Sequence, residues 1–214
     1  MIITYFGKQF FKIQQGEMVL ALNPVSKSSK TGISAHFGTD VALQTINHPD
    51  YNGIEQLSHG ERAPFVIVGP GDYEIKDIFV KGVLSESVLG GNKYINTIYL
   101  FTLDGIKIAF LGALGDGELS KETREAINSP DILFIPVGGL PAQAGKGMLD
   151  AKSAAKLASS FEARLVIPMD YDSVTLKAFL KEMGEEKAET VDKLTLKRKD
   201  LDNKEGEVIV LLAS

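Results

Sequence analysis

Apolar and polar positions alternate from the start of the chain. Ile2, Ile3, Tyr5 and Phe6 make residues 2–6 apolar and largely β-branched or aromatic, and Gly7-Lys8 then turns the chain. Residues 9–14 carry Phe10, Phe11 and Ile13 before a second turn at Gln15-Gly16. Residues 18–22 form a third short segment ending at Asn23-Pro24. Short runs of this kind bounded by glycine-bearing turns predict an antiparallel meander. Residues 25–38, rich in Ser, Lys and Gly, predict a surface loop, and residues 41–45 a strand that leads into a polar loop. Residues 65–68 predict another buried strand, closed by Gly69-Pro70-Gly71-Asp72. Residues 73–75 and 78–84 continue the β-rich half, followed by a loop at Gly90-Gly91. Residues 97–103 and 106–111 flank Asp104-Gly105, a strong hairpin signal.

The period changes after Gly112. Residues 120–128 have a helical pattern with Ser120 as N-cap. Residues 131–137 predict a strand entering Gly138-Gly139, and residues 142–147 a short loop. Asp150 caps a second helix whose apolar face is Ala151, Ala154, Ala155, Leu157, Ala158 and Phe161. Residues 165–167 predict a buried strand ending at Pro168-Met169-Asp170-Tyr171, and residues 173–183 a helix stopped by Gly184. Residues 191–196 and 208–212 predict closing strands. Strands first, then strand–helix alternation, predict a single α/β domain over residues 1–214, a four-layer αββα sandwich.

Composition narrows the function. The chain has 214 residues, a formal net charge of -5 and no Cys. The length suffices for a sizeable core without staples. Without Cys there are no disulfides and no thiolate ligands or nucleophiles, and a cytoplasmic location is expected. The acidic balance argues against a nucleic-acid partner. The one basic cluster, Lys197-Arg198-Lys199, runs at once into Asp200 and Asp202 and predicts a solvated edge or turn. No apolar run is long enough to span a bilayer, and the opening residues read as a strand rather than a signal peptide. A small-molecule or protein partner is left unspecified, and a homo-oligomer is open.

Candidate chemistry lies in Thr45-Ile46-Asn47-His48-Pro49-Asp50-Tyr51, where a His and an Asp sit two residues apart past a predicted strand end. Such a loop can carry a metal or acid–base site. Other stretches add to it in order: Ile3-Thr4-Tyr5-Phe6-Gly7, Gly69 to Ile75, Asn96-Thr97-Ile98-Tyr99, Leu111-Gly112-Ala113-Leu114-Gly115, Ile135-Pro136-Val137-Gly138-Gly139 and Ile167-Pro168-Met169-Asp170-Tyr171. Together they resemble the metallo-β-lactamase superfamily, and more narrowly its branch of L-ascorbate-6-phosphate lactonase and related zinc-dependent hydrolases.

The resemblance implies two zinc ions held by His and Asp at strand ends, activating a water for attack on a carbonyl or phosphate centre. It also implies where the ligands should be. The family's His-x-His-x-Asp-His reads here as Ile46-Asn47-His48-Pro49-Asp50-Tyr51. The next His falls among Ser85, Glu86 and Ser87; the bridging Asp is Ala113; the last His is Asp170. Independently of that alignment, the chain holds three His in all, His36, His48 and His59. A standard dinuclear zinc site therefore cannot be assembled within one subunit.

His48, Asp50 and Asp170 are expected to converge, with Glu86 as a further candidate, and Ile46 and Tyr51 to fill the vacated space. The expectation is that no cofactor binds and that a metal-free pocket places a protonated His48 against Asp50 or Asp170. The alternative is one divalent ion on His48, Asp50 and Asp170, harder than zinc, serving a lactone or phosphate-ester hydrolase. A third arrangement draws a ligand from Asp116 or His59. Asp116 reads more simply as a turn residue between glycines, and His36 and His59 as loop residues. Gly138-Gly139 reads as structural, letting a loop pass close to the pocket floor. The expected function is a fold-family member with a degenerate metal site, a non-catalytic binding or scaffold protein.

Overall fold

The computed structural model describes residues 1–57, 63–139 and 147–214. Its strands are β1 (Ile2–Gly7), β2 (Phe10–Gln15), β3 (Met18–Leu22), β4 (Val41–Gln44), β5 (Phe65–Val68), β6 (Gly71–Ile75), β7 (Ile78–Leu89), β8 (Asn92–Leu103), β9 (Ile106–Phe110), β10 (Ile132–Pro136), β11 (Leu165–Met169), β12 (Glu189–Val191), β13 (Lys193–Thr195) and β14 (Glu207–Leu211). Three α-helices accompany them among the described residues: α1 (Lys121–Ile127), α2 (Ala151–Ser160) and α3 (Ser173–Met183).

The strands form two sheets. One has six strands in the order β13-β1-β2-β3-β4-β5, the other eight in the order β12-β14-β11-β10-β9-β8-β7-β6. Each sheet is antiparallel on one side and parallel on the other: β3, β4 and β5 pair in parallel, as do β9, β10, β11, β14 and β12. The inner faces pack together through period-two side chains such as Ile3, Tyr5, Phe11 and Ile13. Phe11 sits at the centre, stacked on Tyr5 at 4.6 Å and edge-on to Phe134 at 4.9 Å.

The outer face of the eight-stranded sheet is covered by the helices, with Ile127, Ala154, Leu157 and Phe179 against Ala109, Leu133, Ile135 and Val166. Their ends are capped as the sequence predicts. Ser120 accepts from Thr123 N, and Asp150 from Ser153 N at 2.8 Å. The outer face of the six-stranded sheet is covered differently. Val25, Ile33, Ala35 and Phe37 of the long loop and Ile54 and Leu57 of a short 3-10 turn pack on Phe10, Ala21 and Ala42. Four layers are therefore present, with the loop doing on one side what helices do on the other.

Three predicted segments differ. Residues 65–68 are an edge strand, not a buried one: Phe65 is 48% and Val68 55% exposed, and only Ile67 faces the core. Residues 191–196 are not one strand. The chain crosses between sheets at Asp192, so that Val191 pairs with Leu211 in one sheet and Leu194 with Ile3 in the other. The hairpin of β7 and β8 is longer than its apolar marks, and Gly90-Gly91 is its turn, with Leu89 opposite Asn92.

Candidate functional site

The C-terminal ends of the parallel strands converge at one edge of the sandwich, the place where α/β sheets usually present their chemistry. β4 delivers Thr45 to Tyr51, β9 delivers Leu111 to Ala113, β10 delivers Gly138, and β11 delivers Asp170. The turn between β1 and β2 closes over this edge. Lys8 carries a positive φ of 55° there, and its carbonyl accepts from Asp170 N at 2.7 Å and from the Tyr5 hydroxyl at 2.8 Å. Asp170 is itself left-handed, with φ 55°. Gly138 must lack a side chain, because a Cβ there would lie 1.9 Å from the Asp170 carbonyl.

The Asp170 carboxylate is the hub. Its side chain is 4% exposed and meets three donors. Tyr51 donates its hydroxyl to Oδ2 at 2.5 Å, Gln9 donates Nε2 to the same oxygen at 3.2 Å, and Lys8 Nζ stands 3.2 Å from Oδ1. Gln9 is held in turn by Asn23, whose Nδ2 donates to Gln9 Oε1 at 2.8 Å and to Thr45 Oγ1 at 2.8 Å. The network is buried and its members are mutually satisfied, so it fixes the geometry of the edge.

Asp50 lies on the outer side of Lys8, with Oδ2 3.9 Å from the ammonium, and Oδ1 accepts from Ser29 Oγ at 2.6 Å. His48 sits beside Asp50 and does not reach Asp170. Its Nδ1 accepts from Asp50 N at 3.2 Å, which leaves no proton on that nitrogen for a carboxylate. The ring packs edge-on to Tyr94 at 5.8 Å. Of the expected pair, His48 stands beside Asp50 alone, with Nδ1 4.0 Å from Oδ2, and the side chain that reaches both aspartates is Lys8, which the sequence did not single out.

The remaining expected residues divide clearly. Ile46, Tyr51 and Ala113 form a buried apolar cluster backed by Leu89 and Tyr94. Ala113 is held there by Asn96, whose Oδ1 accepts from Ala113 N at 2.9 Å. Glu86 does not join the pocket: it is exposed, on the opposite face of β7 from Ser85 and Ser87. Ser87 is 2% exposed and its hydroxyl has no hydrogen-bond partner among the described residues. Asp116 is an exposed turn residue whose Oδ1 accepts from Glu118 N at 2.8 Å. His36 is exposed, with Nδ1 3.3 Å from the Gln56 carbonyl. His59 and residues 142–146 lie outside the described residues.

A family profile described as a beta-lactamase superfamily domain matches residues 2–170. The chain belongs to the beta-lactamase superfamily. Among solved structures, this superfamily member is similar to a proposed Zn-dependent hydrolase of the metallo-beta-lactamase superfamily from Thermotoga maritima. The two are 27% identical, with a TM-score of 0.73 over 98% of this chain and 97% of that one. A proposed metal-dependent hydrolase from Parabacteroides distasonis follows at 19% identity, TM-score 0.62, over 85% and 89%. An isothiocyanate hydrolase from Delia radicum gut bacteria follows at 10%, TM-score 0.66, over 100% and 97%. The last two show the shared fold alone. No curated protein matches the chain significantly.

The superfamily implies a zinc pair, and the residues present do not fit one. The positions that should offer imidazoles and a bridging carboxylate offer Ile46, Tyr51 and Ala113, each at most 2% exposed and packed on one another. Among the described residues no three His, Cys, Asp or Glu side chains are placed to grip one ion. The carboxylate at the last ligand position has its oxygens turned to protein donors.

Tyr51 gives the site a pH signature. Burial, and then the adjacent Asp170 charge and its hydrogen bond, hold the phenol well above its usual range. In the unfolded chain the phenol ionises near pH 10, whereas in the folded chain it does not. The contribution is therefore complete below pH ~10 and lost as pH rises past it. Between pH 10 and 11 Tyr51 alone should remove about 1 kcal/mol. Denaturant midpoints measured from pH 8 to 11 should fall less steeply in Tyr51→Phe than in the wild type. Equal slopes would show that Tyr51 does not carry its proton through this range. Burial raises Tyr5 and Tyr99 too, and pushes Tyr171 up to about 12, so the slope difference between the two proteins is the informative quantity.

Proposed function

We propose that this protein uses the metallo-β-lactamase fold without a dinuclear zinc centre, as a non-catalytic binding or scaffold protein of the cytoplasm. The observation that carries the reading is the occupation of Asp170 by Tyr51, Gln9 and Lys8. A carboxylate engaged in this way would have to give up three partners before it could ligate a metal, and its neighbours supply no imidazole in compensation.

The hydrolase names of its structural relatives belong to proteins that the chain resembles in fold. A mononuclear hydrolase built on His48, Asp50 and Asp170 would need His48 to turn toward Asp170, away from Asp50 N. Elemental analysis of protein purified without chelator separates the readings. The expected result is zinc far below one atom per chain after dialysis. Esterase and phosphodiesterase turnover with Zn²⁺, Mn²⁺ or Mg²⁺ should then match a His48→Ala control. Two firmly held zinc atoms, or metal-dependent turnover lost in His48→Ala, would overturn it.

A further inference from the structure

We propose that the Lys8 ammonium takes the place of the metal, as the resident cation that neutralises Asp170 and Asp50 across the closed edge of the sandwich. The inference rests on the metal-free reading above and goes further, since it names what replaces the ion.

Three features point to Lys8. Its Nζ stands 3.2 Å from Asp170 Oδ1 and 3.9 Å from Asp50 Oδ2, a point shared by the two carboxylates that remain of the family's ligand positions. Its backbone is anchored at the same spot, with the carbonyl accepting from Asp170 N and Tyr5 Oη, so the cation is tethered from both ends of one residue. The Asp50 oxygen nearest Lys8 is also the one nearest His48, at 4.0 Å from Nδ1. A buried carboxylate requires a countercharge or must take up a proton. In a two-metal site the ions provide that charge. Here the β1–β2 turn brings it covalently, and the same turn joins the six-stranded sheet to the end of β11 in the other.

Two consequences follow. Divalent cations should have no purchase on the native protein, because the position between the carboxylates is filled by a positive charge. Removing that charge while keeping the side-chain stem should leave Asp50 and Asp170 short of a cation, and an oxygen-rich pair of this kind suits Mn²⁺ or Ca²⁺.

The test is thermal unfolding of wild type, Lys8→Met and Lys8→Met/Asp170→Asn, each with EDTA and with 1 mM MnCl₂ or CaCl₂. Lys8→Met in EDTA should melt roughly 6 °C below wild type. Metal should return about half or more of that loss in Lys8→Met and leave the wild type unmoved. The double variant should melt above Lys8→Met in EDTA and ignore metal. If Lys8→Met fails to fold, the double variant decides: recovery of folded protein supports a charge role, and equal failure overturns it in favour of a packing role for the stem. A wild-type shift as large as that of Lys8→Met, or no metal response in a folded Lys8→Met, also overturns the proposal. Neither of these results brings zinc into the purified wild type, so the reading of the protein as metal-free is tested separately.

Discussion

Asp170→Ala should lower the unfolding free energy by about 3–4 kcal/mol, out of proportion to the few atoms removed. The carboxylate is 4% exposed. Deleting it strands the Tyr51 hydroxyl without an acceptor, leaves the Gln9 amide only the weakly accepting Met148 sulfur at 3.6 Å, and leaves Lys8 with the more distant Asp50 alone. The Tyr51 hydroxyl cannot turn to water, because the residue is 1% exposed and packed in the cluster with Ile46 and Ala113. Lys8 is the least affected, since its side chain is 32% exposed and can swing outward. Urea unfolding followed by far-UV circular dichroism measures the change, with the m-value as a check that the native state stays compact. A loss below about 1 kcal/mol, the size of an ordinary surface ion pair, would mean that the network does not hold this edge together.

That network explains what could be read along the chain and what could not. The elements were legible because each is a local pattern. Alternation at residues 2–6, the Asp104-Gly105 turn and the Ser120 and Asp150 caps all appear where the residues predict them. The deficit of ligands was legible as well, because a count of imidazoles needs no geometry. What replaced them was not. Lys8 and Gln9 meet Asp170 across more than 160 positions of sequence. Nothing in a Gly-Lys-Gln turn distinguishes a lysine that will be half-buried against a carboxylate from one in water. Glu86 faces away from the pocket for a different reason. The apolar marks of β7 stop at Leu84, but the strand pairs on through Leu89, so the alternation continues through polar residues and turns Ser87 inward and Glu86 out. Residues 65–68 have the composition of a core strand, and their exposure follows only from being last in a sheet. That position is set by topology, which local periodicity does not contain.

Ala113→Asp puts the family's bridging residue type back, and the expected result is loss rather than repair. Ala113 is fully buried against Ile46 and Tyr51, and its N–H is already committed to Asn96. A carboxylate there meets the apolar side chains of Ile46 and Tyr51, so desolvation favours its protonated form. The cost at pH 7 should be about 3–5 kcal/mol, partly from overpacking and partly from the buried charge. The two parts separate by pH. The introduced acid has a folded pKa raised above its unfolded value near 4, so its charge penalty is absent below that value and grows as pH rises through it. The variant should therefore lie closest to wild type at about pH 4 and fall away toward neutrality, whereas an overpacking cost alone would be independent of pH. Denaturant melts of both proteins at pH 4, 5.5 and 7, with and without 0.1 mM zinc, would show it. If the variant instead gains stability with zinc at pH 7 and holds two atoms per chain, then a single carboxylate was all the site lacked. The packing of Ile46 and Tyr51 would then be an adjustable filling rather than a replacement for the metal centre.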